Sequence, residues 1–109
     1  MKLIFAIVGD EDGNKVMMEL NRAGFYGTKL SSTGGFLKAG NTTLLIGAEE
    51  DQLDTVLEIV KANSAKRKKI VTTPIPMIGV ANVFSSFPME VDVGGATIFV
   101  TDVEKFEKI

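Results

Sequence analysis

The apolar residues of this chain occur in continuous runs and in helical stripes. Residues 3–8 are apolar at every position, and residues 41–47 contain a second apolar run. Such runs are typical of strands buried on both faces. Each run leads through a glycine and an acidic turn into a helical stripe, formed by Val16, Met17, Leu20 and Ala23 and then by Leu53, Val56, Leu57 and Val60. The stripes predict two amphipathic helices, the first over about 12–23.

The order of these elements predicts the fold. Residues 25–33 are rich in Thr, Tyr and Phe and are predicted to form a strand. The pattern of strand, glycine and acidic turn at 7–12 recurs at 45–51, so the chain contains two strand–helix units in tandem. The resulting order, βαββαβ, is that of a ferredoxin-like α+β sandwich. With 109 residues, the chain is predicted to form a single domain over 1–109.

The C-terminal third has a different pattern. A short strand is predicted at 69–73 and is expected to stop at the prolines that follow, Pro74 and Pro76. The stretch 74–88 has no clear period and is predicted to be a long, functional or mobile loop. Residues 89–93 alternate between apolar and acidic side chains, and Gly94-Gly95 is a typical hairpin turn before a strand at 96–103. We therefore expect an extra C-terminal hairpin.

This fold leaves one face of the sheet without helices. Two helices cover only one face, yet the strands at 3–8 and 44–46 are apolar on both. The second face therefore needs a cover, either the long apolar loop or another copy of the chain. The pattern predicts a homo-oligomer.

Composition limits the chemistry. The chain has no His and no Cys, which excludes a Ser–His–Asp triad, a thiol nucleophile and zinc sites built from those residues. We expect a binding protein and not an enzyme. A net charge of −2 argues against a nucleic-acid polymer as partner. Apolar runs are too short for a membrane span or a signal peptide, so the predicted location is the cytoplasm.

Charged segments give weaker hypotheses. The acidic residues at 10–12 and 49–51 would hold a divalent cation if the fold brought them together, but solvated helix starts are the simpler interpretation. We predict no metal site. The basic run at 66–69 is expected at the end of the second helix, where cations are favoured.

The densest unusual segment is 28–47. Its glycines allow close backbone approach to a ligand, its Thr and Asn side chains offer hydrogen bonds, and Phe36 and Leu37 are apolar at a loop tip. These features fit a nucleotide pocket, and an aromatic side chain there could stack on a purine. A glycine-rich hairpin turn between threonine-rich strands is the alternative. The segment is not a phosphate-binding loop of the Gly-Lys-Ser/Thr type.

The same segment resembles a known family signature. The sequences TKL at 28–30, STGGFL at 32–37 and GNTTLLIG at 40–47 closely resemble the signature of the PII-like cyclic di-AMP receptors, the PstA or DarA family of Gram-positive bacteria. The opening MKLIFAIV and the segment VDVGGATIFV at 91–100 extend the resemblance over essentially the whole chain.

The resemblance implies a PII fold of the ferredoxin-like type, a homotrimer, and cyclic di-AMP bound in clefts between subunits. It implies no catalysis and no cofactor. It also implies that loops rearrange when the ligand binds and that this rearrangement changes which partner protein is bound. The sequence does not identify that partner. The matching ligand-binding positions are Thr28 and Asn41 as hydrogen-bonding side chains, Gly35 and Gly47 as backbone, and Phe36, Leu37 and Phe99 as apolar walls.

Two positions depart from the family pattern. Tyr26 stands where relatives often have an Arg that contacts phosphate, so a bidentate cationic contact is absent. Lys108 stands where relatives have Gln and would return a positive charge. A second hypothesis is therefore that the chain binds another adenine nucleotide, such as ATP.

Overall fold

The computed structural model describes residues 1–32, 40–76 and 84–109. Within these ranges the chain forms six strands, two α-helices and one 3₁₀ turn. In chain order they are β1 (Lys2–Gly9), α1 (Asp10–Arg22), β2 (Gly27–Ser32), β3 (Asn41–Ala48), a 3₁₀ turn (Glu50–Gln52), α2 (Leu53–Ser64), β4 (Arg67–Pro76), β5 (Phe84–Val93) and β6 (Ala96–Asp102).

Four strands form the main sheet in the order β2-β3-β1-β6, with every neighbouring pair antiparallel. Both helices pack against this sheet, and their buried residues form one core with alternate positions of β1 and β3. The core residues are Ile4, Ala6, Val8, Val16, Leu20, Phe25, Leu44, Ile46, Ala48, Val56 and Val60. The arrangement of strands and helices is consistent with the predicted ferredoxin-like fold.

The helices begin and end where local chemistry favours it. Three acidic residues occupy the first turn of α1, where the helix dipole stabilises negative charge. Gly24, with φ of 89°, takes the left-handed conformation just beyond the end of α1. A reciprocal capping box between Glu49 and Gln52 starts the 3₁₀ turn before α2. Among the described residues, no helix is both long and apolar enough to cross a membrane.

The prediction of a strand that ends before Pro74 was wrong. β4 continues through Pro74 to Pro76 and pairs with β5 over its whole length, so Phe84 and Phe87 lie in a strand and not in a loop. Each strand of a two-stranded ribbon keeps one unpaired edge, where a proline costs no hydrogen bond. The two prolines are two residues apart, so both nitrogens point to the same edge of the strand.

The predicted C-terminal hairpin was also wrong. β5 pairs with β4 and β6 pairs with β1, so Gly94-Gly95 joins strands of two different sheets. β6 is the fourth strand of the main sheet, because pairing with β1 lets Ile98 pack against the core. The ribbon of β4 and β5, here called the β4–β5 arm, is therefore an insertion between α2 and β6. It makes the chain elongated, 65 × 22 × 19 Å.

Candidate functional site

The main sheet has one face that the helices leave uncovered, here called the open face. Successive side chains of a strand point to opposite faces. Ile4 and Ala6 on the helix side are fully buried, whereas Leu3 and Phe5 between and beside them are only partly buried. The same alternation occurs in β3, where Ile46 is fully buried and Gly47 is exposed. The open face therefore consists of the odd-numbered positions of β1 and β3 and the residues paired with them.

Two of the predicted ligand-binding residues share one row across this face. Thr28 pairs with Leu45, Leu45 with Phe5, and Phe5 with Phe99. Directly paired residues of an antiparallel sheet point to the same side, so all four lie on the open face. The row spans the sheet, about 14 Å from Thr28 to Phe99 at the usual spacing of strands. Phe99 lies at the β6 end of this row, and 49% of it is exposed.

Gly47 and Tyr26 lie at one end of the open face. Gly47 pairs with Leu3, and Tyr26 immediately precedes the first pair of the β2–β3 register, between Gly27 and Ile46. A Cβ atom added at Gly47 would meet nothing closer than Met1 Cε at 3.9 Å. The glycine thus leaves a shallow gap in the surface beside Tyr26, whose side chain is 76% exposed.

Asn41 lies at the other end of the same face. It pairs with Gly9 and Ser32, and it is six positions along β3 from Gly47, about 20 Å in an extended strand. In contrast to Thr28 and Gly47, Asn41 is 2% exposed. One adenine cannot span the distance between Asn41 and Gly47, so a ligand that contacts both residues must be larger than a single adenine.

The segment around Asn41 is held by the start of α1. Thr42 Oγ1 donates a hydrogen bond of 2.7 Å to Asp10 Oδ1, and the Asp10 backbone N–H donates one of 3.1 Å to Gly40 O. A Cβ atom at Gly40 would overlap the Asp10 carboxylate. Asp10 therefore holds both neighbours of Asn41, Gly40 through its backbone carbonyl and Thr42 through its side chain.

The open face also carries threonines that the sequence analysis did not identify. Thr97 and Thr43 pair with Ile7 from opposite sides, and Thr101 pairs with Leu3. They surround the row from Thr28 to Phe99 with hydroxyl groups, which donate and accept hydrogen bonds. The signal was available in β6, where Thr97, Phe99 and Thr101 alternate with apolar residues that face the helices.

Three of the described lysines, Lys2, Lys29 and Lys108, lie in β1, in β2 and in the tail after β6, elements that form or border the open face. At the Gly47 end, Lys2 forms an ion pair with Asp102; the hydrogen bond between them raises the pKa of Lys2 and lowers the pKa of Asp102. Lys29 faces α1, where its Nζ donates to Asn14 Oδ1 at 2.8 Å. Lys108 is exposed in the tail after β6, which leaves the sheet at the Gly47 end because Asp102 pairs with Lys2. The tail that carries Lys108 therefore starts at the same end of the sheet as Gly47 and Tyr26.

The two acidic segments lie far apart. β1 and β3 are antiparallel, so the segments that follow them lie at opposite ends of the sheet, about 24 Å apart along eight-residue strands. Asp12 and Glu11 instead form ion pairs with Arg67 and Lys69. No group of three or more acidic side chains among the described residues could hold a metal ion. The basic run, expected at the end of α2, mostly lies in β4.

Three predicted ligand-binding residues, Gly35, Phe36 and Leu37, lie outside the described residues. The four that are described in strands, Thr28, Asn41, Gly47 and Phe99, all lie on the open face. This face combines hydroxyl groups, an exposed glycine and an exposed aromatic ring on a ferredoxin-like sheet. The fold and this face together define a small α+β binding domain.

Comparisons with known proteins identify the family. The family model described as "Cyclic-di-AMP receptor" matches residues 1–109, so the chain belongs to the cyclic di-AMP receptor family. The chain is also similar to a crystal structure of a functionally unknown protein from Pediococcus pentosaceus ATCC 25745. The two are 42% identical with a TM-score of 0.79, and the alignment covers 99% of this chain and 96% of that one.

Proposed function

We propose that this protein is a signalling receptor that binds cyclic di-AMP at the boundaries between copies of a PII-like homotrimer. Binding changes the conformation of its loops, and the altered surface regulates a partner protein. The protein acts in the cytoplasm, carries no cofactor and catalyses no reaction on the ligand. One observation carries the proposal: the chain matches the receptor family over its full length, with the matching positions Thr28, Asn41, Gly47 and Phe99 all on the sheet face away from the helices.

The chemistry of the open face supports this ligand. Threonine hydroxyls donate to phosphate oxygens or adenine nitrogens, exposed backbone at Gly47 allows close approach, and Phe99 offers an apolar wall. Asn41 and Gly47 are about 20 Å apart along an extended strand, which suits a ligand with two bases at a boundary shared by two copies.

The first test is direct binding. We expect cyclic di-AMP to raise the melting temperature and to give a saturable isotherm in calorimetry, and AMP to do neither. Asn41→Ala and Phe36→Ala should each weaken cyclic di-AMP binding about tenfold, the cost of one lost ligand hydrogen bond or stacking contact. Asn63→Ala on α2 is the matched control, because Asn63 Nδ2 donates to Ile59 O away from the open face. Saturating cyclic di-AMP without a heat of binding or a thermal shift would contradict the proposal.

A second candidate function is binding of another adenine nucleotide, such as ATP. It is favoured by Tyr26, which is 76% exposed beside Gly47 and replaces an arginine common in the family. A tyrosine supplies one hydrogen bond or a stacking surface where arginine would supply two charge-assisted hydrogen bonds to phosphate.

Substitution at Tyr26 separates the two candidates. We expect Tyr26→Arg to tighten cyclic di-AMP binding three- to tenfold, in the range for a partly exposed charged hydrogen bond. Competition calorimetry with ATP and cyclic di-GMP gives the ligand preference, and Tyr26→Phe is the control that keeps the ring. Stronger displacement by ATP than by cyclic di-AMP would favour the second candidate.

A further inference from the structure

The three consecutive acidic residues at the start of α1 contact two different parts of the molecule. Asp10 holds the backbone and side chain of residues 40–42, next to Asn41. Glu11 and Asp12 hold the base of the β4–β5 arm through Lys69 and Arg67. The first turn of α1 therefore lies between the proposed ligand site and the arm.

The contact with the arm is centred on Arg67. Its Nη2 donates to Asp12 Oδ1 at 2.7 Å and its Nη1 donates to Asp12 Oδ2 at 3.2 Å, a bidentate geometry. The Asp12 side chain is 5% exposed, so this carboxylate is screened little by water. The hydrogen bond to Asp12 raises the pKa of Arg67, so the guanidinium group keeps its positive charge. Arg67 Nη1 also donates to Ala65 O at 3.2 Å.

The other end of the arm meets the same guanidinium group. Gly94 follows β5 with φ of 88°, and a Cβ atom there would overlap Ala65 O and lie 2.9 Å from Arg67 Nη1. Arg67 is thus packed against both ends of the arm and against α1. The arm base is therefore joined to α1 through the Arg67 guanidinium group and its two hydrogen bonds to Asp12.

The contact with the ligand side is equally close. A Cβ atom at Gly13 would lie 3.0 Å from Thr42 Cβ, and one at Gly40 would overlap the Asp10 carboxylate. Such packing leaves little room for residues 40–42 to move without moving the first turn of α1.

We propose that the first turn of α1 couples the ligand site to the β4–β5 arm, with Arg67 as the positioning residue that transmits the change. This inference rests on the proposed function, because it assumes that cyclic di-AMP binds beside Asn41. Ligand contact shifts residues 40–42, Asp10 and Gly13 carry the shift into α1, and the Asp12–Arg67 pair carries it into the arm. A partner protein then distinguishes the two states by the position of the arm.

Thermodynamic reciprocity gives the first test. If the ligand changes the arm, then loosening the arm must change the affinity for the ligand, although Arg67 does not belong to the predicted ligand-binding residues. We expect Arg67→Gln to weaken cyclic di-AMP binding about fivefold in calorimetry, the lower end of typical couplings. Arg67→Lys keeps the charge but loses the bidentate geometry, and it should give an intermediate loss.

Lys68→Gln is the matched control. Lys68 is the next residue of β4, points to the opposite face of the arm, and lies 4.0 Å from Glu90 within the arm itself. The substitution makes the same change of charge without touching α1, so cyclic di-AMP affinity should stay within about twofold of the unsubstituted protein.

A distance measurement tests the movement itself. The chain has no cysteine, so Ile70→Cys on the arm and Glu58→Cys on α2 introduce two unique sites for spin labels. Both positions are exposed. In the doubly labelled protein, we expect cyclic di-AMP to shift the distance distribution measured by pulsed EPR. The same shift should occur when Lys68→Gln is added. It should be smaller or absent when Arg67→Gln is added.

The outcomes separate the two proposals. Binding with unchanged distances, or an equal shift and equal affinity in Arg67→Gln, Arg67→Lys and Lys68→Gln, would overturn the coupling and leave the proposed function intact. Absence of cyclic di-AMP binding in the labelled background and in the unsubstituted protein would overturn the proposed function, and the coupling with it. If Arg67→Gln does not fold, the comparison of Arg67→Lys with Lys68→Gln decides the coupling.

Discussion

Gly47→Val should weaken cyclic di-AMP binding about ten- to hundredfold and leave the fold of the chain intact. Gly47 lies in β3 on the open face, where a Cβ atom would meet only Met1 Cε at 3.9 Å. A valine suits a strand and has space in the free chain, so the melting temperature should not fall. A ligand lying against the exposed backbone would be displaced by the new side chain. We expect calorimetry to show a tenfold to hundredfold loss of affinity, corresponding to roughly 1–3 kcal/mol for overpacking.

Gly27→Ala is the contrasting variant. Gly27 is exposed on the neighbouring strand, but a Cβ atom there would lie 2.5 Å from Leu45 O and 3.1 Å from Ile46 Cγ1. This substitution should lower the melting temperature because strand backbone must shift. Wild-type affinity in Gly47→Val would exclude Gly47 from the ligand site. Sedimentation of both variants shows whether any loss of binding comes from a change in assembly.

The main sheet and its open face could be predicted from local patterns. The apolar run at 3–8 and the helical stripes define a sheet covered on one side, and alternation then divides the strand residues between two faces. The structure confirms the predicted strand at 41–47, which is β3 (Asn41–Ala48), and the predicted stripe of α2, in which Val56 and Val60 are fully buried. The prediction that Thr28 and Asn41 bind the ligand rests on family resemblance and not on periodicity, and it stays a prediction.

The β4–β5 arm could not be predicted from local patterns. Gly94-Gly95 is a strong local signal for a hairpin between strands 84–93 and 96–102. Each of these strands instead pairs with an earlier strand of the chain, β6 with β1 and β5 with β4. β6 gains burial by pairing with β1, and the prolines of β4 are tolerated at the edge of a two-stranded ribbon. Tertiary pairing therefore overrode the turn signal.

Whether the acidic residues at 10–12 and 49–51 lie close together depends on the relative direction of β1 and β3. The repeat at 7–12 and 45–51 indicated two equivalent strand–helix units, and the structure has both. Because β1 and β3 are antiparallel, their equivalent ends lie at opposite edges of the sheet. The contacts of Asp12 with Arg67 bridge residues 55 positions apart, and no local spacing indicates them.

The open face has the properties of a surface that needs a cover. Leu3, Phe5 and Leu45 are partly buried in the single chain, and Leu30 and Phe99 are 44% and 49% exposed. Contiguous apolar surface of this kind is rare on monomers and is typical of an interface. If other copies of the chain cover this face, a charged side chain introduced there would be buried in the assembly. Burial of an unpaired carboxylate costs several kcal/mol.

Phe5→Glu should therefore convert the proposed homotrimer into monomers and abolish cyclic di-AMP binding. Phe5 is at the centre of the row that joins Thr28 to Phe99, and in the separated chain a glutamate there reaches water. We expect the dissociation constant of the assembly to rise more than about hundredfold, measured by sedimentation velocity. Met18→Glu is the matched control, since Met18 is 48% exposed on α1. A Phe5→Glu protein that sediments like the unsubstituted chain would show that the open face is not the interface between copies.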